Sequence, residues 1–498
     1  MKKIVIISSL LLLTSFYSHA QKETWNWTFG SKSGLTFKPD KLRSHAGIGL
    51  DQTPNATLHD LPGAFLTQMS NLEGVFSISD KEGDLLFYSN GINIWKADGT
   101  KMMDKTGLQT LVLGGHDSSS QSGIVVPYPG SNNRYICVGL GEKKMNIMNY
   151  VIVQANSPTD VSVISDVETF SNAVGLLGES MTAVKHANGQ DWWIVAVGKP
   201  TTSSGFAYLN AWLVTASGVE HSAPKKSTNT VFFVTANTAN GYLKFTFDGK
   251  YFVYPTYDQK YFIFGEFDNA TGDFFNIRNI PGQMYGAEFS PDQKYLYLTA
   301  TSNSSSFPNG LYIYDFEELK NDVSTSHFKY ISIPRPGALQ LDPFGRIWAG
   351  YSVNRDMVLI DNPDHPESLR IYRLENFLLQ NSNFGLPSFS ASWFYMPIKG
   401  STGFCVKESQ TYTFKVSKGA AALELSHTEW DFGDGSAAIT DKTFGEQTQS
   451  HTYNKPGTYT ITVRAFLQSD GSEAYHDVLK VTVYPCVIPV NPNVHLYH

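Results

Sequence analysis

The chain has 498 residues, of which 41% are hydrophobic, 13% aromatic and 17% charged, and its formal net charge is −7. This composition is typical of a globular protein rich in β structure and excludes a largely disordered one. A small negative charge with no Lys/Arg-rich run provides no basic surface, so we expect neither nucleic acid nor anionic membrane as a partner.

The chain begins with the features of a secretory signal peptide. Two lysines precede an apolar run from Ile4 to Leu13, and Ala20 stands before a polar segment. We predict a signal peptide at residues 1–20 and export to the periplasm or the cell surface, in association with the outer membrane. The apolar run is too short to span a bilayer, and we expect no transmembrane segment.

Residues 76–95, "FSISDKEGDLLFYSNGINIW", contain polar residues that could line a site or form turns. Phe76 and Ile78 alternate with serines, and the apolar run from Leu85 to Tyr88 follows a polar turn. Ser89-Asn90-Gly91 provides a second turn, since Asn and Gly accept a positive φ. We favour a three-stranded meander in which the polar residues make the turns.

Similar units recur at intervals of about fifty residues, a period that indicates repeated β units. Several carry an Asp in the turn, namely Asp80, Asp248, Asp292 and Asp342. One such sheet cannot cover its own apolar faces, whereas radial packing of several sheets can, which predicts a β-propeller. We expect about seven blades, with six or eight left open, the seventh formed by residues 24–37 together with 386–398. The further units are residues 123–141, 180–198, 243–274, 287–303 and 339–364.

The composition changes after Ile398, where short alternating strands with Gly, Asp and Pro turns predict a β-sandwich. The predicted fold is therefore all-β, with a β-propeller at 21–400, a sandwich at 401–488 and a tail at 489–498. Cys405 and Cys486 bracket the sandwich, and export favours a disulfide between them that would contribute about 4 to 5 kcal/mol. Cys137 is interpreted as a small buried hydrophobe.

"WDFGDGS" at 430–436 followed by "HTYNKPGTYTITV" at 451–463 resembles a PKD domain, an immunoglobulin-like module of many cell-surface proteins. The residue types make physical sense for two core aromatics and a tight acidic turn. The motif residues are Trp430, Asp431, Phe432, Gly433, Asp434 and Gly435.

The first 400 residues, with segments such as "WTFGSKSGLTF", "TAVKHANGQDWWIV" and "FGLPSF", resemble the N-terminal propeller-like region of large exported Bacteroidetes proteins that carry PKD domains. The resemblance implies the cell envelope, type IX secretion and gliding or surface adhesion. Such proteins usually continue into a C-terminal sorting domain, for which this chain has no room. We therefore expect a periplasmic or outer-membrane accessory component.

Residues that could carry catalysis were weighed against structural roles. His116, Asp117 and Ser118 to Ser120 are the residue types of a hydrolase triad, but neighbouring side chains diverge and no G-x-S-x-G motif occurs, which favours a loop between blades. Carboxylates converging in a propeller channel could cleave glycans, yet the turn aspartates recur and so serve the repeat. We expect no catalytic residues and predict that the chain is not an enzyme.

Metal and cofactor sites were weighed in the same way. Calcium could bind near Asp431 and Asp434, but two carboxylates on one turn do not require it. The histidines, including His186, His427, His451 and His476, are scattered and do not suggest zinc. We expect neither a metal nor a cofactor.

Binding is the function that the sequence favours. The aromatic residues Trp192, Trp193, Trp393 and Phe394 could offer a flat contact surface, or could simply alternate into the core. We predict a protein-binding or scaffold component of the bacterial cell envelope, accessory to type IX secretion, gliding motility or a surface adhesin. The alternative is a glycan-binding propeller or a glycan-active hydrolase or lyase, with glycan as the second possible partner.

Overall fold

The computed structural model describes residues 22–485 apart from internal gaps. The omitted residues are 143, 200–203, 221–223, 228–232, 236–239, 258, 292, 302–305, 322–326, 328, 352–353, 395–397, 399, 402, 417–424, 469–470 and 472. The predicted signal peptide at 1–20, the tail at 489–498 and Cys486 therefore lie outside the described residues.

Strands dominate the described chain. The α-helix, α1 (Phe316–Lys320), has five residues, and short 3₁₀ turns lie at Lys22–Thr24, Pro39–Lys41, Pro366–Ser368 and Ala391–Phe394. Among the described residues, none of the helical segments has the length and apolar character that a membrane span requires.

The strands are numbered in chain order. The first twenty are β1 (Asn26–Phe29), β2 (Ser31–Thr36), β3 (Arg43–Gly49), β4 (Ala56–Leu61), β5 (Gly63–Ser70), β6 (Phe76–Ser79), β7 (Leu85–Ser89), β8 (Ile94–Lys96), β9 (Gly123–Pro127), β10 (Arg134–Leu140), β11 (Met148–Ser157), β12 (Asp160–Val163), β13 (Glu168–Thr169), β14 (Leu176–Lys185), β15 (Trp192–Lys199), β16 (Ser204–Phe206), β17 (Tyr208–Thr215), β18 (Gly218–Val219), β19 (Lys225–Lys226) and β20 (Phe233–Thr235). The others are β21 (Lys244–Phe245), β22 (Tyr251–Tyr254), β23 (Tyr261–Asp268), β24 (Asp273–Pro281), β25 (Ala287–Phe289), β26 (Tyr295–Ala300), β27 (Gly310–Asp315), β28 (Lys329–Ser332), β29 (Pro336–Leu341), β30 (Ile347–Tyr351), β31 (Met357–Ile360), β32 (Ile371–Leu374), β33 (Gly403–Cys405), β34 (Ser409–Val416), β35 (Leu425–Asp431), β36 (Ile439–Asp441), β37 (Gly445–Thr452), β38 (Gly457–Leu467) and β39 (Glu473–Tyr484).

Before residue 375 the described residues form eight sheets, one of which is a separate pair of two strands. The N-terminal sheet contains β1, β2 and β5, and the first blade contains β6 to β8. The second blade contains β9 to β13, and the third contains β14, β15 and β17 to β19, with β16 and β20 paired separately. The fourth blade is β21 to β24, the fifth is β25 to β28, and the sixth is β29 to β32 extended by β3 and β4.

One strand of each propeller sheet lies nearest to the neighbouring sheets and is called here the inner strand. The inner strands are β1, β6, β9, β14, β21, β25 and β29. β1 contacts β6, β6 contacts β9, β9 contacts β14, and β25 contacts β29. Ser180 Oγ on β14 donates to the Gly241 carbonyl just before β21 at 2.6 Å, and the Phe37 ring after β2 packs 6.5 Å from Trp348 on β30. Sheets therefore meet around a common axis, and the predicted β-propeller is confirmed.

The predicted composition of the seventh blade is wrong. Residues 24–37 do form β1 and β2, but their third strand is β5, and the described part of 386–398 forms no named strand. Pro387 lacks an N–H and makes only an isolated bridge with Val75. The N-terminal region joins the last blade through β3 instead, which pairs antiparallel with β32.

The polar residues between strands act as turn residues, as the repeat pattern predicts. Each described aspartate of the series accepts hydrogen bonds from main-chain N–H groups two to four residues ahead, which fixes the hairpin turn. Asp292 lies outside the described residues. The carboxylate of Asp80 accepts from Glu82 and Asp84, that of Asp248 from Lys250, and that of Asp342 from Phe344 and Arg346.

The C-terminal module is a β-sandwich. One sheet has the order β33-β39-β38-β35-β36, with β33 parallel to β39, and the other pairs β34 with β37. Its core includes Tyr412, Phe414 and Trp430, which are fully buried, and also Ile398 at its N-terminal end. The predicted boundaries at 21–400 and 401–488 stay predictions.

Candidate functional site

The middle of the propeller is occupied by the chain itself. Residues 384–394, called here the axial segment, contact the inner strands of several sheets. The Phe384 carbonyl accepts from the Ala338 N–H at 2.8 Å, and the Ser388 N–H donates to Val75 at 2.7 Å. Further along, Ser390 Oγ donates to the Ala183 carbonyl at 2.6 Å. The axial segment therefore runs along the inner strands, where a channel site would have to lie.

Aromatic contacts hold the axial segment inside the ring. Phe389 packs 6.3 Å from the Trp27 ring of β1, and Phe394 packs 6.4 Å from Phe247, which follows β21. Phe389 and Phe394 are buried. The hydroxyls of Ser390 and Ser392 bond to the Ala183 carbonyl and the Lys185 N–H in place of a main-chain ladder, and the described part of 386–398 accordingly forms no strand.

A buried polar cluster joins three inner strands. Lys244 Nζ on β21 lies 2.7 Å from Glu288 Oε2 on β25, and the two side chains are 6% and 0% exposed. Lys244 Nζ also donates to Gln340 Oε1 on β29 at 3.2 Å, and Glu288 Oε2 accepts from the Leu341 N–H at 2.9 Å. Because each charge is paired and hydrogen-bonded, the cluster can remain buried and fixes the fourth, fifth and sixth blades relative to one another.

Several loops meet where the inner strands begin. We call this surface the entry face and define it as residues 71–74, 116–120 and 379–385 together with Tyr242 and Tyr285. Its loops are tied together by main-chain bonds: the Leu72 N–H donates to Asp117 at 3.1 Å, and the Phe384 N–H donates to Leu72 at 3.0 Å. A Cβ added to Gly385 would lie 1.6 Å from the Glu73 carbonyl oxygen, so only glycine allows this approach. The backbone of the entry face is therefore fixed.

The entry face combines an acidic group with exposed apolar side chains. Tyr285 Oη donates to Glu73 Oε1 at 2.9 Å, and burial, followed by the nearby Glu73 charge, raises the pKa of Tyr285 well above its usual value. The phenol therefore stays protonated and serves as a donor to the carboxylate. Leu72 is 49% exposed and Leu379 is 46% exposed. Such a surface can contact a partner through apolar groups and orient it through charge.

The residues that resemble a hydrolase triad lie on this face but do not form a triad. His116 Nδ1 accepts from the Ser118 N–H at 3.1 Å and lies 3.4 Å from an Asp117 carboxylate oxygen. Ser120 Oγ accepts from the Gly241 N–H at 3.1 Å, and Ser119 Oγ is buried with no partner among the described residues. The segment is a loop between the first and second blades, as predicted.

The four aromatic residues weighed as a contact surface are core residues. Trp192, Trp193, Trp393 and Phe394 are between 3% and 6% exposed. The Lys185 ammonium group lies over the Trp192 ring, 4.3 Å from its centre, and burial lowers the pKa of that amine to about 8. The interpretation that these rings alternate into the core is the one that the structure supports.

The aromatic residues of the predicted PKD motif lie in the sandwich core. Trp430 and Phe432 are 0% and 1% exposed, and the Tyr453 hydroxyl donates to the Phe432 carbonyl at 2.9 Å. Gly433 and Gly435 have φ angles of 71° and 86°, which the tight turn requires.

The acidic residues of the motif shape the turn. Asp431 Oδ1 accepts from the Gly433 N–H at 2.8 Å, and Asp434 Oδ1 accepts from the Ser436 N–H at 3.0 Å. Asp434 Oδ2 also lies 2.8 Å from His451 Nε2. Within the described part of the chain, no group of three His, Cys, Asp or Glu residues could hold a metal ion.

The other candidate histidines and the cysteines lie in separate parts of the structure. His186 stacks on Trp193, and His427 stacks on Phe466. The side chain of His476 lies outside the described residues. Cys137 is a buried free thiol, and burial raises its pKa well above the usual value. Cys405 pairs in register with Tyr484 on β39, and the disulfide with Cys486, which lies outside the described residues, stays a prediction.

Sequence reasoning missed the entry face and the axial segment. Glu73, Ser120, Tyr242 and Tyr285 each precede the inner strand of a different blade. One signal could have found them: in a propeller with a repeat of about fifty residues, the positions just before each inner strand lie on one face.

Both modules are similar to known proteins. Residues 398–483 match the family model of the PKD domain. A proposed 6-phosphogluconolactonase from Bacteroides fragilis is 12% identical, with 70% of this chain and 98% of that chain covered and a TM-score of 0.42. The periplasmic gluconolactonase of Pseudomonas aeruginosa is 10% identical, with coverages of 88% and 96% and a TM-score of 0.39. The β-propeller domain of Cps50 from Myceliophteria thermophila is 10% identical, with coverages of 70% and 96% and a TM-score of 0.34. A search of curated proteins by sequence finds no match.

The strand topology and the PKD match define an all-β protein with a β-propeller followed by a PKD domain. The prediction that the chain is not an enzyme is corrected. That prediction is contradicted because propellers named as gluconolactonases share the fold. The likeness concerns the fold alone, and it brings neither a reaction nor a substrate to this chain.

Proposed function

We propose that the chain is a binding or scaffold protein whose entry face contacts a protein partner. The observation that carries this proposal is a hydrogen-bonded loop surface that presents Glu73 and two half-exposed leucines, Leu72 and Leu379. A fixed surface loses little conformational entropy on binding, so its apolar groups contribute more of their burial to affinity. PKD domains often mediate protein interactions, and the PKD domain would add a second contact or a spacer.

The proposed setting is the bacterial cell envelope, on the periplasmic side or at the cell surface. The signal-peptide pattern at residues 1–20 supports export, and the resemblance to exported Bacteroidetes proteins supports a role beside type IX secretion, gliding motility or a surface adhesin. The partner in this proposal is an outer-membrane or adhesin protein.

The glycan-directed alternative is not favoured. A glycan site on a propeller would use exposed rings for stacking, and the four rings considered for that purpose are buried. The axial segment also occupies the part of the ring where converging carboxylates would act.

The test uses the full mature chain as bait in its native envelope after mild cross-linking. Wild type is compared with the double variant Leu72→Arg/Leu379→Arg. The matched control is Leu108→Arg, which changes a leucine that is 81% exposed in the loop between β8 and β9.

We expect wild type and the Leu108→Arg control to recover the same envelope protein and the double variant to lose it at least tenfold. Equal recovery by the double variant would contradict the assignment of the entry face. Circular dichroism and urea unfolding of all three proteins establish that the arginine substitutions leave the propeller folded.

A further inference from the structure

A groove of about 660 Å³ lies between the N-terminal sheet and the first blade. Its walls come from the end of β2, the start of β5 and the start of β7. Its volume lies within the range of small-molecule sites. The groove shares no lining residue with the entry face, and an inference about it does not depend on the function proposed above.

The groove carries more positive than negative charge, although the whole chain has a net charge of −7. Its lining includes three basic residues, Lys38, Lys41 and Arg43, and one acidic residue, Asp84, which leaves a local excess of two positive charges. Lys38 is paired with Asp84. Lys41 lies 3.0 Å from Asp40, but both side chains are more than half exposed, so this pair is weak.

Arg43 is the residue whose charge is least compensated. Its Nε donates to the Pro62 carbonyl at 3.0 Å and one terminal nitrogen donates to the Phe377 carbonyl at 2.6 Å. The guanidinium also lies 4.2 Å from the centre of the Phe377 ring. No carboxylate among the described residues forms an ion pair with it, and burial lowers its pKa. A fixed, half-buried cation with only neutral partners favours a bound anion.

An apolar wall faces these cations. Phe65, Ala64 and Leu85 line the groove and are partly exposed. The Phe65 ring is held in place because it lies over Gly34, where an added Cβ would approach the ring to 2.6 Å. The groove therefore offers a fixed ring and an aliphatic side chain next to a cationic region.

We propose that this groove binds a small organic carboxylate, with the carboxylate at Arg43 and Lys41 and an apolar body against Phe65 and Leu85. The terminal N–H groups of Arg43 that the Pro62 and Phe377 carbonyls do not use can donate to a carboxylate, and the apolar body removes the Phe65 ring from water. A neutral compound of the same shape would lose the charged contact.

The experiment measures binding of 3-phenylpropanoate to the full mature chain by isothermal titration calorimetry, with its neutral amide, 3-phenylpropanamide, as the matched ligand. We expect the carboxylate to bind at least tenfold more tightly than the amide. We also expect its affinity to fall as salt is added, because the contact is partly exposed to solvent. Equal affinities, or no saturable binding of the carboxylate, would overturn the proposal.

Protein variants locate the site. Lys41→Gln removes an exposed cation of the groove, and Lys81→Gln removes one that is 83% exposed and does not line it. We expect Lys41→Gln to weaken carboxylate binding about fivefold, Arg43→Lys to weaken it further, and Lys81→Gln to leave it unchanged. Because Arg43 also donates to two carbonyls, the binding result for Arg43→Lys is interpreted only if its unfolding midpoint is unchanged. If that midpoint changes, the test relies on Lys41→Gln. Identical affinities of Lys41→Gln and Lys81→Gln would refute the site.

Discussion

Phe389→Ala is the substitution that best tests whether the axial segment holds the propeller together. Phe389 is 2% exposed and contacts Trp27 from the N-terminal sheet and Phe394 from the segment itself. Removing a buried Phe ring costs about 3–5 kcal/mol, because the transfer energy is lost and a cavity remains. Total stabilities are about 5–15 kcal/mol, so the loss would be a large fraction of the free energy of unfolding.

Urea unfolding followed by tryptophan fluorescence measures this loss. The chain has nine tryptophans and only Trp430 lies in the PKD domain, so the signal reports mainly the propeller. The matched control is Phe275→Ala on β24, where the same ring is 43% exposed and the expected cost is below about 1 kcal/mol. If Phe389→Ala costs no more than Phe275→Ala, the axial segment is not part of the propeller core.

Three further predictions concern a buried pair, a titrating carboxylate and the disulfide. Lys244→Met should lower the free energy of unfolding in urea by about 3–5 kcal/mol, because Glu288 would stay buried without its counter-ion. The double variant Lys244→Met/Glu288→Leu should recover most of that stability. Equal losses of stability in the single and the double variant would contradict the pairing. Partial burial raises the pKa of Asp434, but hydrogen bonds from Ser436 and His451 outweigh it and lower that pKa to about 2. Because this folded-state pKa lies below the unfolded value of about 4, the stabilisation is present above pH 4 and is lost as the pH falls towards 2. Thermal melts of the chain and of Asp434→Asn should therefore converge at low pH, and parallel curves would argue against the linkage. Peptide mapping without reduction should recover Cys405 linked to Cys486, and two free thiols would refute the bridge.

Local patterns were sufficient to predict the hairpins and the fold class. The meander at 76–95 is β6, β7 and β8, and the Asp80 and Ser89 turns lie where the polar residues interrupt the alternation. A hairpin depends on residues only a few positions apart, so its signal is contained in a short window. The PKD motif was equally predictable, since its core aromatics and its acidic turn are adjacent in sequence.

Partner choice over long distances was not predictable in the same way. Residues 24–37 alternate as a strand should, but nothing in their sequence distinguishes β5 from 386–398 as the third strand. The extension of the sixth blade by β3 likewise depends on contacts more than 300 residues apart, such as Ile48 with Arg373. The entry face was missed for a related reason, because its residues come from loops that only the completed ring brings together.

The axial segment gives the connection between the two modules an uncommon mechanical character. A force applied to the PKD domain would reach the propeller at residue 394, inside the ring, and not at the outer edge of the last blade. The load would then act along the inner strands, where several sheets share it in shear through Phe389, Ser390 and Phe394. Hydrogen bonds and packed rings loaded together must fail together, whereas a strand peeled from a sheet edge loses its bonds one by one. A protein built in this way could carry tension between two surfaces without unravelling from its last blade.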